Sequence, residues 1–476
     1  MRQYLGHRLK VLERSCPAKS CYAAHAVLLR CSAEAWAKVS RSARLSTRCR
    51  RLRGSSCLWT ISCTPSLARR LVRAEGLPSS TGPAVRGRYC STMRTMRHLL
   101  LFLLAAGWLP AQVPVPFLPE RAKVIAALEE PMAKGMDVSV ALTAWSAAES
   151  ATTPEQKRNH YLRALAALEN VEPLPQSDWG ENPSDVRIEF LEELRAAEPG
   201  VKMQVIRFQV DGLTQYGLVT RPIAAGDTPL PLLIYVHGAA YGVPVSTIAW
   251  QADVARMGYV VAAPAFRGEP AFLPPITGLD YTSEGEVENY AGEPRDVLGL
   301  ADGMRDLPYV RHGKFGIFGH SFGAGAGLLA AARSDDVACV ISYDAWLVNP
   351  FTFYWLRLSG GSIYYWGSWE AYCEAPVPEQ LSGLMARSIA HHVDRLKCPV
   401  QIFIGQLDGA GYHTCHDYLA AQLKAHSVPH EYHVIPNGSH NFALYRDEAP
   451  AKSAWKLQLP FMLQYFPPGK LSGGPK

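Results

Sequence analysis

The sequence predicts an α/β protein: a mostly parallel eight-stranded sheet with helices on both faces, behind an N-terminal helical segment. Three observations predict it. After Gly200, short β-rich runs alternate with helical stretches. Those runs are apolar along most of their length, as strands covered on both faces must be. Before Gly200, from Pro119 onward, apolar residues recur instead at threes and fours, the helical period. The chain has 476 residues, 48% of them hydrophobic, enough for one large core with a smaller segment attached.

The elements follow in chain order. Residues 1–95 hold 19 Lys/Arg against 3 Asp/Glu, which leaves 29 basic and 39 acidic residues from Met96 onward. The formal charge of +6 therefore belongs to the first segment, and the remainder has nothing to attract a phosphate backbone, so no nucleic-acid partner is expected. Seven of the eleven cysteines lie in the same first segment without the paired spacing of zinc sites. Met93-Arg-Thr-Met96-Arg-His, the apolar run Leu99 to Leu109 and Pro110-Ala111-Gln112 have the layout of a secretory signal peptide over residues 93–111. The run is too short for a bilayer core of about 30 Å, so no stable membrane insertion is expected; a buried core helix is the alternative. Residues 1–92, rich in Arg, Ser and Cys, read as an upstream extension without a fold of its own, with translation starting at Met93 or Met96. A basic targeting arm is the other reading of them. The expected location is secreted or periplasmic.

Residues 112–200 form the helical segment. Thr153-Pro154-Glu155-Gln156 supplies a cap, a proline at the first helical position and a capping-box partner. Ser184 to Glu198, with Ile188, Leu191 and Leu194, reads as a further helix stopped by Pro199-Gly200. Residues 201–470 form the α/β domain, with strands expected at Met203–Gln209, Tyr216–Thr220, Leu232–Val236, Tyr259–Ala263, Phe315–Phe318, Ala338–Tyr343, Val400–Ile404 and Glu431–Ile435. Between Trp346 and Lys397 the alternation breaks and aromatic residues crowd from Phe351 to Tyr372, an insertion that either packs as core or lines an apolar pocket. Cys339, Cys373, Cys398 and Cys415 are either free thiols or, in an oxidising compartment, two disulfides in one of three pairings.

The chemistry is carried by Gly319-His320-Ser321-Phe322-Gly323, a G-x-S-x-G between an apolar strand and a helical run. A serine forced into that corner projects its hydroxyl above the sheet, and the flanking glycines let neighbouring backbones approach. Such a hydroxyl needs a base within reach. His440 stands in a loop after the last expected strand, which matches the chain order serine, acid, histidine. The acid belongs at a strand end between them, where it orients the imidazole. Asp408, after Val400–Ile404, is favoured; Asp344, after Ala338–Tyr343, is the alternative. For the oxyanion, the amide of Phe322 is one expected donor, and Ala239 in His237-Gly-Ala-Ala-Tyr-Gly242 is the other.

With these residues in place, the segment from about 203 to 467 resembles the catalytic domain of the prolyl oligopeptidase family and the related dienelactone hydrolases. The motifs are the His237-Gly238 loop, Phe266-Arg267-Gly268, Asp296, the serine corner, the run from Val393 to Pro399 leading into Asp408, and His440. The resemblance implies an α/β-hydrolase fold and acyl transfer through a covalent acyl-enzyme, with no cofactor and no metal. It departs from those peptidases in having about ninety helical residues where a β-propeller usually stands, and in an oxyanion loop that reads His-Gly-Ala-Ala instead of His-Gly-Gly-Pro. A second likeness, through Gly319–Gly323, Tyr343-Asp-Ala-Trp346 and His440-Asn-Phe442, is to the platelet-activating-factor acetylhydrolases, where the acid occupies the position of Asp344. The expected substrate is a small ester or short peptide. A carboxylesterase limited to short acyl esters is the alternative, and a binding protein that has lost catalysis is the alternative of another class.

Overall fold

The computed structural model describes residues 48–51, 57–60, 119–194, 198–238, 242–243, 247–271, 281–360 and 380–471. The chain divides into two units, Met1–Ala111 and Gln112–Lys476. In the first, β1 (Arg48–Arg51) pairs antiparallel with β2 (Cys57–Thr60). The expected signal peptide at 93–111 lies outside the described residues.

The second unit opens with three helices, α1 (Pro119–Ala133), α2 (Ser139–Ser150) and α3 (Pro154–Ala167). The capping box read from the sequence starts α3: Thr153 Oγ1 accepts from the Gln156 amide at 3.2 Å, and Gln156 Oε1 from the Thr153 amide at 3.4 Å. A nine-stranded sheet follows. It comprises β3 (Glu189–Glu193), β4 (Val201–Val210), β5 (Leu213–Pro222), β6 (Leu232–Val236), β7 (Val260–Pro264), β8 (Phe315–His320), β9 (Val337–Tyr343), β10 (Val400–Gly405) and β11 (His430–Ile435). Their order across the sheet is β11-β10-β9-β8-β6-β7-β5-β4-β3. Strands β6 to β11 run parallel to one another, and β5, β4 and β3 close one edge antiparallel.

All eight expected strands are present, and the ninth corrects the helix expected at Ser184 to Glu198. Val186, Ile188 and Phe190 alternate with exposed Arg187 and Glu189, a period of two that the leucines at 191 and 194 disguise as a period of three. Pairing with β4 decides the outcome: Phe190 lies opposite Ile206 and faces one core, Leu191 by alternation faces the other, and a register shift before Glu193 turns Leu194 onto the same face as Leu191.

Period-two alternation also explains why the central strands are apolar throughout. On β6, Ile234 and Val236 enter one core with α5 (Glu293–Arg305) and α6 (Phe322–Arg333), while Leu233 and Tyr235 enter the opposite core with α4 (Ile248–Arg256). The insertion after β9 contributes α7 (Pro350–Leu358) and α8 (Leu381–Ala386). Of its aromatic residues, Phe351, Phe353 and Tyr354 are buried as core, whereas Tyr364, Tyr365, Trp366, Trp369 and Tyr372 lie outside the described residues. The helical segment docks here, with Trp355 Nε1 donating to the Ile125 carbonyl at 2.8 Å and Asn349 Nδ2 to that of Ala133 at 3.1 Å. Helices α9 (Ala410–Ala425) and α10 (Ala449–Tyr465) complete the two layers. Cys339, Cys398 and Cys415 are buried free thiols, which corrects the two-disulfide reading; Cys373 lies outside the described residues. Among the described residues no helix is long and apolar enough to cross a membrane.

Beside β7, Arg267 is only 4% exposed and meets three carboxylates, Asp296 at 2.8 Å, Asp211 at 3.0 Å and Glu288 at 3.0 Å. These partners hold the guanidinium charged against the cost of burial. Asp296 is the fully buried member and also accepts the Arg267 amide at 3.1 Å. Asp296→Ala removes the deepest of the three counter-charges. It is expected to lower the free energy of unfolding by about 3 kcal/mol, read from urea midpoints; a loss below about 1 kcal/mol, the scale of a surface pair, would show that Asp211 and Glu288 suffice.

Candidate active site

The corner between β8 and α6 has the geometry that the motif demands. Ser321 sits at φ 53, ψ −117, a conformation an L-residue holds only under constraint from its surroundings. The constraint comes from β9 and its following turn, since the Ser321 amide donates to the Tyr343 carbonyl at 2.8 Å and the Trp346 amide to the Ser321 carbonyl at 2.9 Å. The flanking glycines are there for space. A Cβ on Gly323 would stand 2.3 Å from the Val236 and His237 carbonyl oxygens, and one on Gly319 would stand 2.5 Å from Ala324 Cα. No larger residue fits between this helix and the sheet without moving backbone.

The Ser321 hydroxyl lies 2.8 Å from Nε2 of His440, and Nδ1 of His440 lies 2.7 Å from Oδ2 of Asp408. The three residues are therefore joined by two short hydrogen bonds, although they follow three different strands, β8, β10 and β11. Parallel pairing of β10 with β11 brings the last two loops together, and three bonds bind them: Gln406 amide to Ile435 carbonyl at 3.0 Å, Leu407 amide to Gly438 carbonyl at 2.8 Å, and Asn437 amide to Gln406 Oε1 at 3.0 Å. The Asp408 carboxylate is 2% exposed, and its other oxygen accepts the Gly409 amide at 2.7 Å. Its remaining lone pairs thus have a use, as a buried charge requires. His440 itself stays about a quarter exposed.

Sequence reasoning passes over three supports of this arrangement. The His320 ring is buried, which lowers its pKa to about 4 and keeps it neutral. Its Nε2 donates to the His440 carbonyl at 3.0 Å, so the residue before the serine pins the loop that carries the base. The Tyr412 ring packs at 4.7 Å against the His440 ring from α9. Glu269, buried, accepts the Gly242 amide at 3.2 Å and stands 3.4 Å from His237 Nε2, holding one end of the loop after β6. Burial pushes His237 down to about 4, so it is neutral, with Nδ1–H given to the Gly238 carbonyl at 2.8 Å. Of the expected oxyanion donors, Phe322 opens α6, where first-turn amides have no acceptor within the helix. Ala239 lies outside the described residues.

Asp344 ends β9 as expected but makes no hydrogen bond to His440; its Oδ1 accepts the Gly405 amide at 2.7 Å. Asp344, Asp408 and His440 nevertheless have ligand-type atoms all within 4.8 Å of one another. The two aspartates end neighbouring parallel strands, and the register that sets Tyr343 opposite Phe403 leaves Asp408 five residues further along its strand, where the loop curls onto the imidazole.

Residues 246–467 match the model of the prolyl oligopeptidase family. No curated protein sequence matches the chain. Similar solved structures include acetyl xylan esterase 1 from a Thermoanaerobacterium species, 17% identical over 59% of this chain and 89% of that one, TM-score 0.45. Dipeptidyl peptidase 4 of Porphyromonas gingivalis is 16% identical over 56% of this chain and 36% of its own, TM-score 0.44. A puromycin-hydrolyzing peptidase of Mycobacterium tuberculosis is 18% identical over 58% of this chain and 41% of its own, TM-score 0.46. This chain thus spans less than half the length of either peptidase. Inside the segment that matches the family model, a serine, a histidine and an aspartate stand in hydrogen-bonded sequence, the arrangement of a serine hydrolase.

Proposed function

We propose that the protein is a secreted hydrolase that cleaves an ester or a peptide bond of a small substrate through an acyl-enzyme on Ser321. The observation that carries this reading is the pair of hydrogen bonds, 2.8 and 2.7 Å, from Ser321 through His440 to Asp408. Ser321 Oγ attacks the carbonyl carbon as His440 Nε2 takes its proton, and the Asp408 carboxylate stabilises the imidazolium that forms. The carbonyl oxygen becomes an oxyanion for which the Phe322 amide is one donor and Ala239 the second one expected from the sequence; losing one such donor typically costs about 10²–10³ in rate. His440 then returns the proton to the departing alcohol or amine, and water repeats the sequence on the acyl-enzyme. Neither step calls for a metal or cofactor. Support for the peptide-bond side is the family match over residues 246–467. Support for secretion is the basic and apolar run at residues 93–111.

A paired assay tests the reading. Short-chain p-nitrophenyl esters and aminoacyl or prolyl p-nitroanilides are offered to the same preparation, and turnover of both is expected, the anilide more slowly because an amine leaves less readily than a phenolate. Turnover of the ester alone would convert the proposal to its carboxylesterase alternative. No turnover, with no labelling by a fluorophosphonate, would leave only a binding protein.

A further inference from the structure

Asp344 is fully buried, stands at φ 46, and has one carboxyl oxygen, Oδ2, with no hydrogen-bond partner among the described residues. Oδ1 is taken by the Gly405 amide. A non-glycine residue in the left-handed region and a buried polar atom left unpaired are each costly; both occur at Asp344, whose carboxyl group has an oxygen within 4.8 Å of ligand-type atoms of Asp408 and His440. Burial, reinforced by the neighbouring Asp408 charge, pushes the Asp344 carboxyl well above the usual carboxylate range. Two carboxyl groups so close do not both ionise readily, and their surroundings separate them: Asp408 has His440 and the Gly409 amide to serve its charge, Asp344 a single amide.

We propose that Asp344 is a reserve orienting acid, a positioning residue that receives the His440 Nδ1–H when the Asp408 carboxylate is absent. The proposal rests on the triad reading above. With Asp408 intact, Asp344 keeps its proton and leaves the imidazole to Asp408. Without it, the repelling charge is gone and space opens beside the ring. Asp344 then releases its proton to solvent, and its anionic Oδ2 accepts Nδ1–H; no covalent bond to a heavy atom changes. The titratable groups set against Asp344 are Asp408 on the β10 loop, His440 on the β11 loop and Tyr343 on its own strand.

The test compares Asp408→Asn with Asp408→Ala, each with and without Asp344→Asn, by kcat/KM for an ester across pH. Asp408→Asn should lose about 10⁴, because the amide fills the same place and turns a donor toward Nδ1. Asp408→Ala should retain at least tenfold more activity than Asp408→Asn, and that ratio should grow with pH as Asp344 ionises. Adding Asp344→Asn to Asp408→Ala should erase the advantage. Asp408→Gly serves as second truncation, with thermal unfolding confirming that each variant is folded. Equal activity of Asp408→Ala and Asp408→Asn at every pH, or an advantage that survives Asp344→Asn, overturns the proposal. Ser321→Ala run alongside separates the two readings: if it hydrolyses normally the triad itself is wrong, and if it is inactive while the aspartate comparison shows no advantage, only the reserve role fails.

Discussion

Ser321→Ala is expected to reduce kcat for a p-nitrophenyl ester by about 10⁶ and to abolish covalent labelling by a fluorophosphonate, while leaving the fold in place. The size of the effect comes from how completely the corner is committed to one hydroxyl. The strand, the two close-packed glycines and the hydrogen bonds to Tyr343 and Trp346 hold Ser321 in a strained conformation that packing alone would not select. Alanine keeps that backbone and removes only the oxygen. What survives is binding and oxyanion stabilisation, typically about 10³–10⁴ over the uncatalysed rate. Retention of more than about one part in a hundred of kcat, against that expected loss, would mean that another group performs the attack, and the corner would then be a structural turn.

Much of this site is legible in the amino-acid sequence because its parts sit where strands end, and strand ends are what hydrophobic runs reveal best. Each of β6 to β11 falls within a residue or two of its expected bounds, which is enough to set Ser321, Asp408 and His440 at the carboxyl ends of parallel strands. Choosing between the aspartates is another matter. Both follow apolar strands, and only strand register and the curl of the β10 loop separate the one that meets the imidazole from the one that does not. His320 and Glu269 escape sequence reasoning for a related reason: each acts on a loop distant in sequence, through a backbone carbonyl or amide that carries no side-chain signature. The edge strand β3 reads as a helix because its pairing partner, not its own composition, makes it a strand.

His440→Ala should be as damaging as loss of the nucleophile, about 10⁶ in kcat, and the double variant Ser321→Ala/His440→Ala should be no worse than either single one. The two side chains act as a unit. Without the imidazole, the hydroxyl has no acceptor for its proton and no donor for the leaving group; without the hydroxyl, the imidazole has nothing to activate. The neighbouring imidazole of His320 offers no substitute base. His320, with its ring centroid 5.8 Å from that of His440, is buried, kept neutral, and already spends its Nε2–H on the His440 carbonyl. Because that bond is to backbone, it survives the alanine substitution, so the loop should stay in place and the loss should be chemical. Matched thermal unfolding of the variant and the parent protein checks that point. If the losses from the two single variants multiply in the double variant, Ser321 and His440 contribute independently, and the proton relay between them is not how this protein hydrolyses its substrate.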